Sequence, residues 1–114
     1  MSADMILFTR TYDLLRWLLP RSEKFPKQYR SSITQRLRNA LLDFQEVVLE
    51  ANAVTDKIRL RLLRQADGHL AKIRLYVRLA FDWQWFSPGQ YRHVSEMINE
   101  IGRLLGGWIQ QTAK

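Results

Sequence analysis

Apolar side chains recur at steps of three and four residues through four successive segments, and no stretch alternates apolar and polar residues as a half-buried strand would. That period confines the chain to helices, each of which must bury one stripe against the others. In the first segment, from about Asp4 to Leu19, the predicted stripe is Met5, Phe8, Tyr12, Leu15 and Leu19. Pro20 is expected to end it, because proline disfavours the helical conformation in the residue before it. Pro20 to Arg30 keeps neither period and reads as the longest loop, with Phe25 available to tuck against the bundle.

The second segment runs from about Ser32 to Asn52 on a stripe of Ile33, Leu37, Ala40, Phe44, Val47 and Ala51. Ser32 and Gln35 have the spacing of a capping box, and Asn52 is a stop signal. The third, from about Asp56 to Gln84, is the longest, about 40 Å at the helical rise. Its stripe is Leu62, Ala66, Leu70, Ile73, Val77 and Ala80. Gly68 inside it costs about 1 kcal/mol of helix preference and reads as room for a neighbour. The fourth opens on Ser87-Pro88-Gly89-Gln90, where a capping serine, a proline at the first position and a glutamine three residues on agree. Val94, Ile98, Ile101, Leu105 and Trp108 follow as its stripe. Short second and third connections make consecutive helices antiparallel. The expectation is all-α: one domain over 1–114, an antiparallel up-down four-helix bundle.

Charge adds a second constraint. The chain carries 18 Lys and Arg against 11 Asp and Glu, a net +7. Residues 57–84 and the loop 20–30 together hold more positive charge than the whole chain nets. On a helical projection Lys57, Arg61, Arg64, Lys72 and Arg78 fall within about 60° of one direction, opposite the apolar stripe. Arg74 lies at the flank. Arg59 points toward the core side, near enough to the helix start to reach around to solvent. Such a stripe is ordinarily a solvated face. A solvated face, however, mixes signs at i,i+4, and acidic partners are scarce here. The loop adds Arg21, Lys24, Lys27 and Arg30. A field of one sign opposes itself unless something anionic meets it, and nucleic acid phosphate is the commonest such partner. An acidic protein surface competes with that reading. An anionic membrane is the weaker partner, because the opposite face is committed to the core.

Motifs for chemistry are missing. With no cysteine, disulfides and thiolate metal sites are excluded. His69 and His93 lie in different segments; the His93–Glu96 spacing alone does not make a metal site. There is no nucleophile elbow and no glycine-rich phosphate loop; Gly102, Gly106 and Gly107 sit inside an apolar-periodic helix, and Gly102 and Gly106 share a face suited to close helix contact. Trp83, Trp85 and Phe86 read as closure of the bundle end or a subunit contact ahead of base stacking. No catalytic residue, cofactor or metal is expected. Met1 to Phe8 lacks a basic n-region, and no apolar run approaches the ~20 residues of a membrane span, so the expectation is a cytoplasmic protein.

Three pieces carry a family resemblance: Arg36-Leu37-Arg38-Asn39-Ala40-Leu41-Leu42-Asp43 through Leu49-Glu50-Ala51-Asn52, then Ala71 to Ala80, then Gln90-Tyr91-Arg92-His93 with Glu100-Ile101-Gly102-Arg103-Leu104-Leu105-Gly106-Gly107-Trp108-Ile109. Together, from about Tyr12 to Gln110, they resemble the accessory variability determinant (Avd) proteins of diversity-generating retroelements. The related bundle proteins of ribosomal RNA intervening sequences carry an Asn-Ile-Ala-Glu-Gly type signature that is absent here. The resemblance implies a basic, barrel-like homopentamer that binds a reverse transcriptase and its template RNA. It implies a role in error-prone complementary DNA synthesis without a catalytic site. Lys57, Arg61, Arg64, Lys72, Arg74 and Arg78, with Arg21, Lys24, Lys27 and Arg30, are the expected contacts to RNA, DNA or the polymerase. The alternative is a structural oligomer that docks an acidic protein and no nucleic acid.

Overall fold

The computed structural model describes residues 3–114, so Met1 and Ser2 of the expected domain lie outside the described residues. Four helices follow in order: α1 Ala3–Ser22, α2 Gln35–Asn52, α3 Asp56–Asp82 and α4 Pro88–Ala113. No strand occurs among the described residues. Side-chain pairs set the directions. Arg10 meets Glu100 and Trp17 meets His93, so α1 and α4 run antiparallel. Phe81 stacks on Tyr91 while Arg74 reaches Gly102, so α3 and α4 do the same. Arg59 reaches back to Ala51 across the α2–α3 hairpin. These pairings close a four-helix bundle with alternating directions, 44 Å along its longest axis.

The core holds one stripe from each helix, and α1 is where it departs from expectation. Leu7, Thr11, Leu14 and Leu18 face inward, whereas Met5 and Tyr12 are more than half exposed and Phe8, Leu15 and Leu19 pack only at the edges. The cause is Thr11, a polar residue at a core position. Its hydroxyl donates to the Leu7 carbonyl at 2.8 Å, which satisfies it internally and lets it pack as an apolar group. In α2, Leu41 and Val48 are buried where Ile33 and Val47 were expected; in α3 the fully buried residue is Leu63, beside the expected Leu62. The expected α4 stripe is buried throughout.

Pro20 does not end α1, which runs on to Ser22. Proline there deletes one hydrogen bond of the last turn, from its own missing N–H, and the acceptor it leaves is on exposed Arg16. The Arg21 guanidinium caps the turn instead: Nη1 donates to the Trp17 carbonyl at 2.8 Å and the group lies 4.1 Å above the Trp17 ring. The expected long loop is mostly helical too. A 3₁₀ turn at Lys27–Tyr29 and a wider π turn at Arg30–Thr34 run into α2 without a cap, and Ser32 donates to the Tyr29 carbonyl rather than forming a capping box. The Ser87–Gln90 box is present in both directions, at 3.1 and 2.9 Å.

Between α3 and α4 the chain turns in five residues. The Trp85 N–H donates to the Ala80 carbonyl and the Gln84 N–H to the Phe81 carbonyl, the two bonds of a Schellman motif. Gln84 takes the left-handed conformation that motif needs, at φ 65°. The turn delivers Trp85 and Phe86 onto Phe25, at ring distances of 5.0 and 5.4 Å, so these rings and the buried Phe25 close that end of the bundle. Gly68, read from sequence as room for a neighbour, is exposed on α3, and a Cβ there would meet nothing within 4 Å. Gly68→Ala therefore gains helix preference without a clash, and is expected to raise unfolding stability by about 1 kcal/mol in urea titration. Phe44→Ala, which removes a wholly buried ring, is expected to cost about 3–5 kcal/mol in the same assay.

Candidate nucleic-acid interface

All six cations expected on α3 are exposed: Lys57, Arg61, Arg64, Lys72, Arg74 and Arg78. They do not form one uniform stripe. Lys57, Arg61 and Arg64 share an open trough on the outer side of α3 with the aliphatic Leu60. Lys72 turns toward α2, where it lines a polar cleft with Arg36, Asn39, Asp43, His69 and Tyr76. His69 Nδ1 is buried there without a hydrogen-bond partner. Arg74 and Arg78 lean the other way, over a cleft against α4.

Pairing is sparse on this surface. Among the described residues, the ion pairs are Arg10 with Asp13 and Glu100, Arg38 with Glu23, and Arg78 with Asp82. Lys57, Arg61, Arg64, Lys72 and Arg74 take part in none of them. Arg78 Nε donates to Asp82 Oδ1 at 3.2 Å; that bond, the Asp82 charge and the neighbouring Tyr91 hold the Arg78 guanidinium above its ordinary pKa. It stays charged at any pH of interest. Arg59 departs from expectation by staying half-buried: Nε donates to the Ala51 carbonyl at 3.0 Å, capping α2, and its guanidinium sits 5.5 Å from the Trp108 ring.

The loop cations come to the far end of the same helix. The ring of Tyr29 stacks on that of Trp83 at 5.1 Å, which fixes residues 20–30 against the C-terminal end of α3. Lys24, Lys27 and Arg30 are exposed there, while Arg21 is committed to Trp17. Of the three aromatic residues singled out from sequence, Phe86 is buried and Trp85 half-buried, while Trp83, packed between Tyr29 and Trp85, is the most exposed at 44%.

Sequence reasoning missed Arg36 beside Lys72, and Tyr91, Ser95 and Asn99 beside Arg74 and Arg78. A signal for them existed. The short α3–α4 connection fixes the antiparallel register, and reflecting Arg74 and Arg78 across it lands on Tyr91 to Asn99. Gly102 has a different neighbour from the helix backbone expected: a Cβ there would stand 2.5 Å from Arg74 Nη2. Gly106 faces open space. Among the described residues no three His, Cys, Asp or Glu side chains are grouped to hold a metal ion, and no helix is long and apolar enough to cross a membrane.

These features define a class: a four-helix bundle with cations of one sign along one outer helix. Within that class the chain belongs to the bAvd-like family, whose model matches residues 5–112. No curated protein matches the chain.

The unpaired stripe has a thermodynamic consequence. Arg61 stands at i,i+4 from Lys57 and i,i+3 from Arg64, two like-charge neighbours that each cost a few tenths of a kcal/mol. Arg61→Gln is expected to raise stability by about 0.5 kcal/mol at low ionic strength. The gain should vanish near 1 M salt, where screening shortens to about 3 Å. Urea midpoints at the two salt concentrations check it.

Proposed function

We propose that this chain is a non-enzymatic accessory subunit of a diversity-generating retroelement, binding the element's reverse transcriptase and its template RNA or complementary DNA in support of mutagenic synthesis. The observation that carries the reading is the row of exposed α3 cations without carboxylate partners, extended at one end by Lys24, Lys27 and Arg30. Such a surface suits a phosphate backbone, whose release of counterions on contact supplies the affinity. Membership of the bAvd-like family supplies the retroelement context. A ring-like homopentamer belongs to the same proposal. Leu42 and Leu49, seven residues apart and about half exposed on the outer side of α2, are apolar surface an assembly would cover. Native mass measurement reads the stoichiometry, and copurification with the polymerase reads the partnership.

Binding to RNA and DNA followed by filter retention across a salt series is the direct test. The wild type is expected to bind both, with log affinity falling linearly in log salt by about 0.7 per single-strand phosphate contacted. A variant with Lys57, Arg61, Arg64, Lys72 and Arg78 changed to Glu should keep its helical spectrum and lose binding at every salt concentration. Equal binding by that variant would remove the role of this face. A second reading, docking of an acidic protein alone, draws on Leu75, which stands about half exposed among the same cations and offers apolar contact area that phosphate does not use. Absence of nucleic acid binding even at low salt is the result that would favour it.

A further inference from the structure

The cleft between α3 and α4 has an arrangement that general basicity does not explain. Its volume is about 300 Å³, and its polar lining is Arg74, Arg78, Tyr91, Ser95 and Asn99. No carboxylate lines it; Asp82, paired with Arg78, sits one turn further along α3. On α4 the acids Glu96, which is exposed, and Glu100, which is bonded to Arg10 at 2.9 Å, both lie outside the lining. The floor is buried Val77 and Ile98.

Gly102 sets the position of the first arginine. The Arg74 guanidinium lies where a side chain at 102 would begin, with Nη2 2.5 Å from the place of a Cβ. A residue with a Cβ at 102 would displace that group from where it lies. Arg74 forms no ion pair among the described residues, so its fork of donors is uncommitted. Arg78 spends Nε on Asp82 and lies beside the Tyr91 hydroxyl, which also favours its charged form. Two guanidinium groups one helical turn apart, with two hydroxyls and an amide across the cleft, match a tetrahedral dianion or phosphodiester better than a planar carboxylate, which one fork suffices to hold.

We infer that Arg74 and Arg78, with Tyr91, Ser95 and Asn99 opposite, form a seat for one backbone phosphate of single-stranded RNA, and that Gly102 is the positioning residue that opens the space for Arg74. The seat rests on the nucleic-acid reading proposed above and gives it one specific contact point. The cleft differs from the open trough of Lys57, Arg61 and Arg64 in drawing its donors from two helices.

Gly102→Ala tests it with little risk to the fold, because alanine favours the helix and the atom it meets is the tip of a flexible side chain. Gly106→Ala, whose Cβ enters open space, is the matched control. Filter binding of a mixed-sequence 20-nucleotide single-stranded RNA is measured across a salt series. Gly102→Ala and Arg74→Gln are each expected to weaken binding about tenfold and to flatten the salt slope by about 0.7, one phosphate contact, while Gly106→Ala binds as wild type. A structural role alone would leave the slope unmoved. In parallel, inorganic phosphate is titrated into each protein and the backbone amides of residues 95–102 are followed by NMR. Shifts in the wild type that are lost in Arg74→Gln support the seat. Wild-type RNA binding that Gly102→Ala and Arg74→Gln leave unchanged would overturn the seat and spare the nucleic-acid reading. Phosphate shifts without RNA binding in the wild type would overturn RNA as the ligand and the nucleic-acid reading with it.

Discussion

Burial of one stripe of α3 is the constraint on which the rest depends. Leu63, Ala66, Leu70, Ile73, Val77 and Ala80 repeat over about five turns, and α2 and α4 both pack against them. Two of the six, Ala66 and Ala80, are alanines, where a neighbouring helix can come close. Because that face is committed inward, the charged residues between its members are forced outward along the whole length. A core helix and a cationic surface are thus two sides of one periodicity. Neither could be changed in register without disrupting the other.

The surface that results is not a plain rod of charge. The flanks of α3 meet α2 on one side and α4 on the other, and a long cation near either flank bends toward whatever space the neighbour leaves. Lys72 finds a polar cleft shared with Arg36 and His69; Arg74 finds the bare backbone at Gly102. Only Lys57, Arg61 and Arg64 keep the outward direction expected from angle alone. Local position on a helix assigns a direction to a Cα–Cβ bond, whereas the end of an arginine, several bonds away, is placed by the neighbouring helix.

That distinction also explains how much could be read from sequence. Helix number, antiparallel order, the α4 cap and most of the core of α3 and α4 follow from spacing and capping chemistry within one segment. The inward face of α1 did not, because Thr11 hides its polarity in a bond to its own helix and the apolar residues nearly encircle the segment. The end of α1 and the start of α2 were misplaced because Pro20 costs only one bond in a last turn and because turns of 3₁₀ and π type leave no apolar period. The cations were identifiable by composition. Their grouping into three separate sites was not, since it depends on contacts between helices.

The two ends of the bundle are held by different means. One end is shut by a cluster of rings, Phe25, Trp85 and Phe86, on a turn with two backbone hydrogen bonds. At the other, the α2–α3 connection has two backbone hydrogen bonds as well. In place of the ring cluster stand one pair, Phe8 on Trp108, and the Arg59 guanidinium, which holds the last carbonyls of α2 at one edge and faces Trp108 at the other. Local opening follows the weaker fastening. Amide protons around residues 51–60 and the last turns of α4 should therefore exchange with solvent sooner than those beside Phe25 and Phe86, giving the molecule a hinged end and a sealed one.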